Sequence, residues 1–421
     1  MSGLRLGPAP RLRLYTSLGQ YGRVGRDVLL GRQTAGDSVA ELETRLARSL
    51  GVAYAVAMPL ARAGIYHVVR SLIRPGQRVL LSPYTIADVV NMVVCAGAVP
   101  VFCDVERATC NIDPAEIERQ IDRDAGAVLA THFYGLACDM PRIAAICARH
   151  GVPLIEDAAQ AFGGRLAGRP LGTFGDAGIF SFGMYKNVNA FFGGMVVTPR
   201  SDLRDRLAGA LRDLPFQPIP GYLRKVTSAA VTDTVTFPPL FGALFFRLFR
   251  EAFVRRIDAV NNRLKIDVDP KLRRRMPDAY LCRMTPLQAR LILAQLDRVE
   301  ADMAARIEAA RRYHEGLRDI PELILPPLRA DGSHIYWHFP IQFDDRHALV
   351  AYAMRHGRDI AESHHRNCAD LPCFAEYARD CPNARAVART LIYLPTYPGY
   401  GPAEVERTVR VIRSFFGKTA A

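Results

Sequence analysis

The 421-residue sequence lacks the features of several protein classes. No apolar run reaches the roughly 20 residues of a membrane-spanning helix, and the N-terminus has no apolar stretch of signal-peptide length. The nine cysteines form no CxxC pair and no Cys/His cluster with zinc-ligand spacing. The sequence therefore predicts reduced thiols in a cytoplasmic protein with no metal site, secretion signal or transmembrane anchor.

Signs of disorder and of nucleic-acid-binding modules are also missing. Apolar residues make up 49% of the chain and charged residues 23%, values typical of a soluble globular protein. There is no internal repeat, low-complexity tract, helix-turn-helix, zinc finger or RNA-binding pattern. The length predicts two or three domains, with a core large enough to enclose an active site.

Positive charge is concentrated in one segment. The formal net charge is +13, and residues 221–275 hold 12 lysines and arginines against 5 acidic residues, a local excess of +7. Such an excess favours an anionic partner, for example a phosphorylated substrate or an anionic membrane surface.

Residues 50–200 alternate short β-rich runs with helical patterns, which lie at 85–96, 113–121 and 138–150. Most of the β-rich runs are continuously apolar, as strands of a parallel sheet buried on both faces are. We therefore predict an open α/β sheet that binds its ligand at the carboxyl ends of the strands. The β-rich runs are QRVLLSPYT, AVPVFCDV, GAVLATHFYG, VPLIEDAA, AGIFSFGM and GGMVVTP.

The sequence pattern of the C-terminal part predicts a smaller α+β domain. A long amphipathic helical pattern covers residues 284–318 after a Thr285-Pro286 start, and HIYWHFPIQF is strand-like. A helix is expected near 346–356 and a closing helix from Ala403 to about Phe416. The predicted organisation is an N-terminal arm (1–34), a large α/β domain (35–214), a basic, aromatic-rich insertion (215–278), and a long linking helix with the small domain (279–421).

Two residues of the predicted sheet edge carry chemistry. Asp157 ends the apolar strand PLIE, where a carboxylate can hold the protonated ring nitrogen of a cofactor, although an aspartate there is more often a helix cap or turn former. Lys186 follows the strand IFSFGM and precedes a Gly193-Gly194 turn. Burial lowers the pKa of a lysine, so its neutral amine becomes a nucleophile that can form a Schiff base.

The run IEDAAQAFGGRLAGRPLGTFGDAGIFSFGMYKN, residues 155–187, closely resembles the signature of the DegT-type sugar aminotransferases. These are fold-type I enzymes that depend on pyridoxal 5′-phosphate (PLP). SPYTIADVVNMVVCAGAVPVFCDV and THFYGLACDM upstream, and RMTPLQARLILAQL downstream, keep the family's order and spacing. The resemblance covers residues 35–200 and 280–320, and more loosely the C-terminal tail.

The resemblance implies a role for each matching residue. Lys186 would be the internal-aldimine lysine and the proton shuttle, and Asp157 would pair with the pyridine nitrogen. Gln160 would hydrogen-bond the phenolic oxygen of the cofactor, and Ser181 would bind its phosphate. The implied reaction moves an amino group from L-glutamate to a keto sugar, usually nucleotide-linked, in a homodimer with active sites at the subunit interface.

Three positions depart from the family pattern. Leu60-Ala61-Arg62 stands where a Ser-Gly-Thr phosphate loop is usual, so Arg62 is either a substitute phosphate ligand or a surface charge of a helix. Ile86 stands where an aromatic residue stacks on the cofactor. Leu281 aligns with the asparagine that family members lend to the neighbouring subunit's phosphate site.

Residues that contact the substrate are harder to infer. His364 and His365 fall in the predicted small domain, which contributes to acceptor binding in this family, and Tyr185 precedes the lysine. A structural or surface histidine is the alternative for each of the two. We take His364, His365 and Tyr185 as candidate substrate residues.

The insertion contains a segment with an amphipathic helical pattern. Its apolar face would bind an anionic membrane through residues 235–265, or pack against the core or a partner subunit. If the segment binds a membrane, the acceptor of the amino group would be a non-sugar or lipid-linked ketone or aldehyde. A further alternative is that the protein is a catalytically inactive scaffold. The apolar residues of the face are Phe241, Leu244, Phe245, Leu248, Phe249, Phe253 and Val254, opposite Arg247, Arg250, Arg255 and Arg256.

Overall fold

The six predicted strands and one that was not among them, Tyr54–Met58, form one seven-stranded sheet in the computed structural model, which describes residues 7–14, 16–255, 257, 269–329 and 331–418. The strands are β1 (Tyr54–Met58), β2 (Arg78–Leu81), β3 (Tyr84–Thr85), β4 (Val99–Phe102), β5 (Ala125–Thr131), β6 (Leu154–Asp157), β7 (Arg165–Leu166), β8 (Arg169–Pro170), β9 (Ala177–Ser181), β10 (Gly194–Thr198), β11 (Phe339–Gln342), β12 (Ala361–Glu362), β13 (Arg366–Asn367) and β14 (Leu391–Leu394).

Helices pack on the large sheet and form much of the remaining chain. They are α1 (Leu18–Leu29), α2 (Ser38–Leu50), α3 (Ala61–Leu72), α4 (Ala87–Cys95), α5 (Pro114–Gln120), α6 (Met140–His150), α7 (Ser201–Arg212), α8 (Ile219–Val235), α9 (Pro238–Val254), α10 (Pro286–Leu293), α11 (Val299–Leu317), α12 (Arg346–Arg355), α13 (Pro382–Thr390) and α14 (Gly401–Phe415).

The order of strands in the large sheet is β1-β10-β9-β6-β5-β2-β4. The five strands from β9 to β4 are parallel, and β10 is antiparallel to both of its neighbours. The predicted α/β fold is therefore confirmed. The carboxyl ends of β5, β6 and β9 meet at one edge, where β10 begins and β1 ends.

The continuously apolar strands are buried on both faces. Successive residues of a strand point to opposite sides, and here both sides meet a hydrophobic cluster. Val79 and Leu129 belong to the cluster on one side, and Leu80 and Val128 to the cluster on the other. All seven residues of β5 are buried. The sheet thus forms the rigid centre of the molecule.

A buried carboxylate in β6 holds the connection into β9. The Glu156 side chain is fully buried and accepts backbone N–H groups from Gly172 (2.9 Å), Phe174 and Gly175 (2.9 Å). His132, at the end of β5, lies 3.3 Å from the same carboxylate. Because these donors satisfy the buried charge, Glu156 fixes the turn that directs β9 toward the sheet edge.

The single long helix predicted over residues 284–318 is wrong. The chain forms α10 after a Thr285 capping box, turns through a 3₁₀ segment at Leu296–Arg298, and continues as α11. The side chain of Gln295, which is 3% exposed, donates to the carbonyl oxygens of Asn189 (2.8 Å) and Leu291 (2.6 Å). These bonds to a distant loop accompany the break, which amphipathic periodicity alone does not reveal.

A second, three-stranded sheet lies in the C-terminal part, with the order β11-β14-β12. Helices α11, α12 and α14 contribute apolar residues to the cluster around it, including Tyr313, Leu349 and Val405. The two-stranded pair of β13 and β3 joins this part to the large sheet, with Arg366 opposite Thr85. This pairing brings the chain near residue 365 to the edge of the large sheet where the parallel strands have their carboxyl ends.

The aromatic-rich segment forms α8 and α9, but Arg256 and residues 258–265 of the predicted contact region lie outside the described residues. The predicted apolar face of α9 is divided between two sides. Phe241 is buried and Phe253 packs on His347 with 4.9 Å between ring centroids, whereas Leu244 and Leu248 are exposed. Among the described helices none alone is long and apolar enough to span a membrane, and only the α8–α9 pair, bent by 60°, passes that test together.

Replacing Glu156 with glutamine should destabilise the protein. The neutral amide is a weaker acceptor and presents an NH₂ group to backbone donors, so we expect unfolding to become easier by about 2 kcal/mol or more. Urea unfolding monitored by tryptophan fluorescence measures this. The matched control is Glu118→Gln, whose carboxylate is 42% exposed and should leave the unfolding midpoint nearly unchanged. Equal midpoints for the two variants would contradict the assigned role of Glu156.

Candidate active site

The edge where β6, β9 and β10 meet gathers the chemically active residues. Asp157 is the last residue of β6, Ser181 is the last of β9, and Gly194 opens β10 opposite Ser181. Helix α3 begins at Ala61, beside Gly194. Ligands of open α/β sheets bind at such an edge.

Asp157 is 5% exposed and partly satisfied by its surroundings. Oδ1 accepts the backbone N–H of Ala159 at 3.0 Å, and Oδ2 lies 3.5 Å from the Thr131 hydroxyl. Burial raises the pKa of Asp157, and the Ala159 hydrogen bond and the charge of Lys186 oppose that rise. Oδ2 is therefore the oxygen with acceptor capacity for a ligand.

Lys186 lies on a tight turn that follows β9. Its backbone N–H donates to the carbonyl of Gly183 at 2.9 Å, and its ammonium nitrogen lies 4.4 Å from the centre of the Trp337 ring. Burial lowers the pKa of Lys186 to about 8, with Asp157 raising it and Arg62 lowering it further. About a tenth of such an amine is neutral at pH 7, against less than about a thousandth for a solvated lysine.

The loop after Lys186 is fixed through Asn189. The backbone carbonyl of Asn189 accepts from Gln20 (2.9 Å) and Gln295 (2.8 Å), and its backbone N–H donates to Gln295 at 3.0 Å. The Asn189 side chain donates to Thr16 at 3.0 Å and accepts the N–H of Phe191 at 2.7 Å. Residues from two distant parts of the chain, the N-terminal arm and the segment after α10, therefore hold the lysine turn in place.

Trp337 is a site residue that the sequence analysis missed. A Cβ at Gly135, where φ is +75°, would lie 2.9 Å from the backbone nitrogen of Trp337, so glycine lets this loop approach. The Trp337 indole N–H donates to the carbonyl of Tyr185 at 3.2 Å. Tyr185 itself is 37% exposed. The one available signal was that Trp337 is the only tryptophan in the chain.

A buried hydroxyl network connects the predicted substrate histidine to the cofactor side. The Tyr134 hydroxyl lies 2.9 Å from that of Tyr84, 2.8 Å from the Ser363 hydroxyl and 3.2 Å from Nδ1 of His365. The backbone N–H of Tyr134 donates to Oε1 of Gln160 at 2.8 Å, which leaves the Gln160 amide NH₂ as a donor. Tyr134 thus contacts Gln160 through its backbone N–H and His365 through its hydroxyl.

The histidines of this region differ in their surroundings. Burial lowers the pKa of His365 to about 3 and that of His338 well below its usual value, and the charge of Lys186 lowers both. Nδ1 of the buried His338 has no hydrogen-bond partner among the described residues. The ring of His364 lies edge-on to that of Tyr393, with 6.4 Å between centroids, and His364 also lowers the pKa of His365. His338 was not among the predicted substrate residues.

The first turn of α3 forms a cup beside β10. A Cβ at Gly194 would lie 2.6 Å from the backbone nitrogen of Ala61, so the glycine permits this close approach. The N-cap residue Leu60 makes no side-chain hydrogen bond to the helix, which leaves first-turn N–H groups for an anion. Ser181 lines the same strand end, and Ile86 is the N-cap of α4.

Two cations lie close to this cup. Arg62 pairs with the Asp88 carboxylate and its guanidinium lies 5.3 Å from the centre of the Tyr280 ring. Lys225, from α8, lies 5.9 Å from the centre of the Phe192 ring. Burial and the charge of Arg62 hold the pKa of Lys225 below its usual value. Lys225 was missed by the sequence analysis because nothing in α8 signals a distant contact.

Comparisons with known proteins agree with this geometry. A sequence model of the DegT/DnrJ/EryC1/StrS aminotransferase family matches residues 26–217 and 263–413. The chain is 29% identical over 394 residues to the spore coat polysaccharide biosynthesis protein SpsC of Bacillus subtilis (strain 168), covering 91% of this chain and 90% of SpsC.

Two solved structures have the same fold. PseC of Helicobacter pylori, an aminotransferase of pseudoaminic acid biosynthesis, is 18% identical with a TM-score of 0.75, covering 97% of this chain and 99% of PseC. DesI, solved in the presence of its TDP-sugar product, is 23% identical with a TM-score of 0.72, covering 98% and 94%. This chain belongs to the DegT/DnrJ/EryC1/StrS family of aminotransferases, whose cofactor is PLP.

Proposed function

We propose that this enzyme transfers an amino group from L-glutamate to a nucleotide-linked keto sugar, with Lys186 as the covalent anchor of PLP. The observation that carries the proposal is the Lys186 amine, whose pKa is about 8, within electrostatic range of the buried Asp157 carboxylate. A solvated lysine has a pKa near 10.4 and would be almost fully protonated at neutral pH. The site therefore favours a nucleophilic amine.

The residues present fit PLP. When bound, PLP supplies an electron sink that stabilises a carbanion at the carbon carrying the transferred nitrogen. Asp157 Oδ2 would hold the proton on the pyridine nitrogen, since its carboxylate accepts only one strong hydrogen bond from the protein, at Oδ1. The amide NH₂ of Gln160 would donate to the phenolic oxygen, because its Oε1 is already engaged by Tyr134.

Lys186 has two roles in this proposal. Its Nζ would hold the cofactor through the aldehyde carbon and, once released by the donor, would move a proton to and from the carbon that carries the transferred nitrogen. The turn fixed by Asn189 would limit the movement of Nζ, which reduces the entropic cost of the proton transfer. Trp337 covers the amine and excludes water from one side.

The phosphate of the cofactor would bind in the cup at the start of α3. Backbone N–H groups of the first turn and the Ser181 hydroxyl supply donors, as helix N-termini do for phosphates. Arg62 and Lys225 supply positive charge in place of the usual small hydroxyl loop. Asp88 also accepts Arg273 at 2.8 Å, so this one carboxylate holds the guanidinium groups of both Arg62 and Arg273.

On the substrate side, Tyr185, His338 and His365 surround Lys186. A neutral His365 accepts or donates a single hydrogen bond to a sugar hydroxyl without adding charge, because its pKa is about 3. Nδ1 of His338 has no partner within the described part of the chain and would be available to a substrate hydroxyl. A keto sugar linked to a nucleotide is supported by the TDP-sugar product of DesI and by the polysaccharide role of SpsC.

The remaining parts of the proposal concern the assembly and its compartment. We propose a homodimer, on the strength of family membership. We also propose a cytoplasmic location, supported by nine free thiols, of which seven are buried.

Replacing Lys186 with alanine should abolish the first half reaction. We expect the wild-type protein with PLP to show a visible absorption band that bleaches with L-glutamate and returns on adding a nucleotide-linked keto sugar. Lys186→Ala should show no such band. Trp337 fluorescence, quenched by cofactor bound beside the indole, reports binding independently of turnover.

The matched control is Lys271→Ala, an exposed lysine that should leave every signal unchanged. Bleaching by glutamate without recovery on any nucleotide-linked keto sugar would contradict the proposed acceptor. An unchanged band in Lys186→Ala would contradict the anchor itself.

Capture of PLP by the cofactor-free protein should depend on pH. The neutral amine of Lys186 forms as pH rises through its pKa of about 8, so the rate should increase across that range. Because Asp157 raises the pKa of Lys186 and Arg62 lowers it, Asp157→Asn should shift the midpoint down and Arg62→Gln should shift it up. Stopped-flow absorbance measures the midpoints. A midpoint that rises in Asp157→Asn, or one that falls in Arg62→Gln, would contradict the arrangement.

Replacing Lys225 with alanine should weaken PLP binding. A charged hydrogen bond to phosphate is worth about 1.5–3 kcal/mol, so we expect the dissociation constant to rise by about tenfold or more. Titration of Trp337 fluorescence measures this. Unphosphorylated pyridoxal should bind both proteins equally, and Arg224→Ala, an exposed neighbour on α8, should behave as wild type. Equal loss for pyridoxal would mean that Lys225 does not act on the phosphate.

A further inference from the structure

Helices α8 and α9 expose an apolar stripe to solvent. We define the outer stripe as the exposed apolar residues of this segment. Leu244 is 62% exposed and Leu248 is 58% exposed, one helical turn apart, and few large apolar side chains elsewhere are so exposed. The outer stripe consists of Val231 (58% exposed), Phe237 (48%), Leu240 (38%), Leu244, Leu248 and Ile257 (44%).

The opposite side of the helix pair is anchored to the protein. Tyr222, Val226 and Ala229 of α8 belong to the hydrophobic cluster under the sheet, and Phe241 and Phe246 of α9 are buried. Detaching the pair would expose these apolar side chains to water, which is unfavourable. The helix pair therefore stays on the protein surface, and the outer stripe is the apolar part that it exposes.

Basic residues accompany the outer stripe. Arg247 is exposed beside Leu248 and one turn from Leu244. Arg255, which follows the last residue of α9, is 72% exposed. Its partner Glu251 is itself 41% exposed, and such pairs contribute little. The segment 221–275 keeps an excess of +7.

We propose that the outer stripe docks on an anionic lipid membrane, with the leucines and Phe237 in the interfacial region and the arginines at the headgroups. Apolar residues flanked by arginines form the pattern of an interfacial helix. The long arginine side chains reach headgroups while their stems lie along the apolar surface. The buried inner side limits this contact to the membrane surface, so the helix pair does not span the bilayer.

The charges favour lipid over a second copy of this chain. A symmetric interface through the outer stripe would bring Arg247 and its basic neighbours of both subunits together. Like charges facing each other oppose association, whereas anionic headgroups neutralise them. The same helix pair carries Lys225 at the phosphate cup, so docking would hold the active site near the membrane surface.

Vesicle cosedimentation of the full-length enzyme tests the proposal. We expect binding to vesicles of phosphatidylcholine mixed with phosphatidylglycerol, weaker binding to phosphatidylcholine alone, and a decrease as salt is raised. Leu244→Ser with Leu248→Ser should lower the partition coefficient by more than about tenfold, because each leucine loses its burial in lipid. Arg247→Glu should reduce binding to the anionic vesicles.

The matched controls are Leu18→Ser with Leu29→Ser, which replace leucines that are 89% and 87% exposed on α1, and Arg123→Glu, an exposed arginine after α5. These should bind vesicles as wild type does. Equal binding by the stripe variant and the leucine control would overturn the proposal. Loss of the dimer in the stripe variant, measured by light scattering, would also overturn it and assign the outer stripe to a subunit interface. The PLP absorption band, measured in parallel, separates either result from failure of the catalytic site.

Discussion

The attraction between the Lys186 amine and the Asp157 carboxylate is the interaction on which the geometry of this site depends. Burial alone lowers the pKa of Lys186 and raises that of Asp157, so each group would lose its charge if left alone. Their mutual attraction opposes both shifts. The outcome is an amine with a pKa of about 8 next to a carboxylate that keeps an oxygen free for a ring nitrogen.

The pKa values of Lys186 and Asp157 depend on rigid surroundings, because a small movement of either side chain changes both its desolvation and its attraction to the other. The sheet supplies part of this rigidity, since β6 and β9 are neighbours buried on both faces. Glu156 fixes the turn between them, and Asn189 ties the lysine loop to Gln20 and Gln295. Burying these polar groups costs little free energy, because nearly every donor and acceptor among them has a hydrogen-bond partner. They explain why a chain segment with no regular secondary structure can carry the reacting amine.

The α8–α9 segment has two sides with different roles. Its inner side contributes Lys225 near Arg62, and Arg273, just beyond the undescribed residues, pairs with the Asp88 that also holds Arg62. The phosphate loop of the family is altered in this sequence, and the charges near the cup come partly from this segment. Its outer side exposes leucines and arginines that the fold does not need. The segment 218–262, which the family model leaves unmatched, thus contributes both to the cup and to a surface.

The sequence by itself determined the α/β fold, the strands, and the order of Asp157, Gln160, Ser181 and Lys186 along the chain. Those features depend on local apolar runs and on short motifs, which can be recognised from the sequence without knowledge of the fold. Only the tertiary structure decided the break at Gln295, the position of Trp337 beside Lys186, the approach of Lys225 to the cup, and which residues of α9 face solvent. Each of these depends on contacts between residues distant in sequence, and periodicity carries no information about which distant side chain an element will meet.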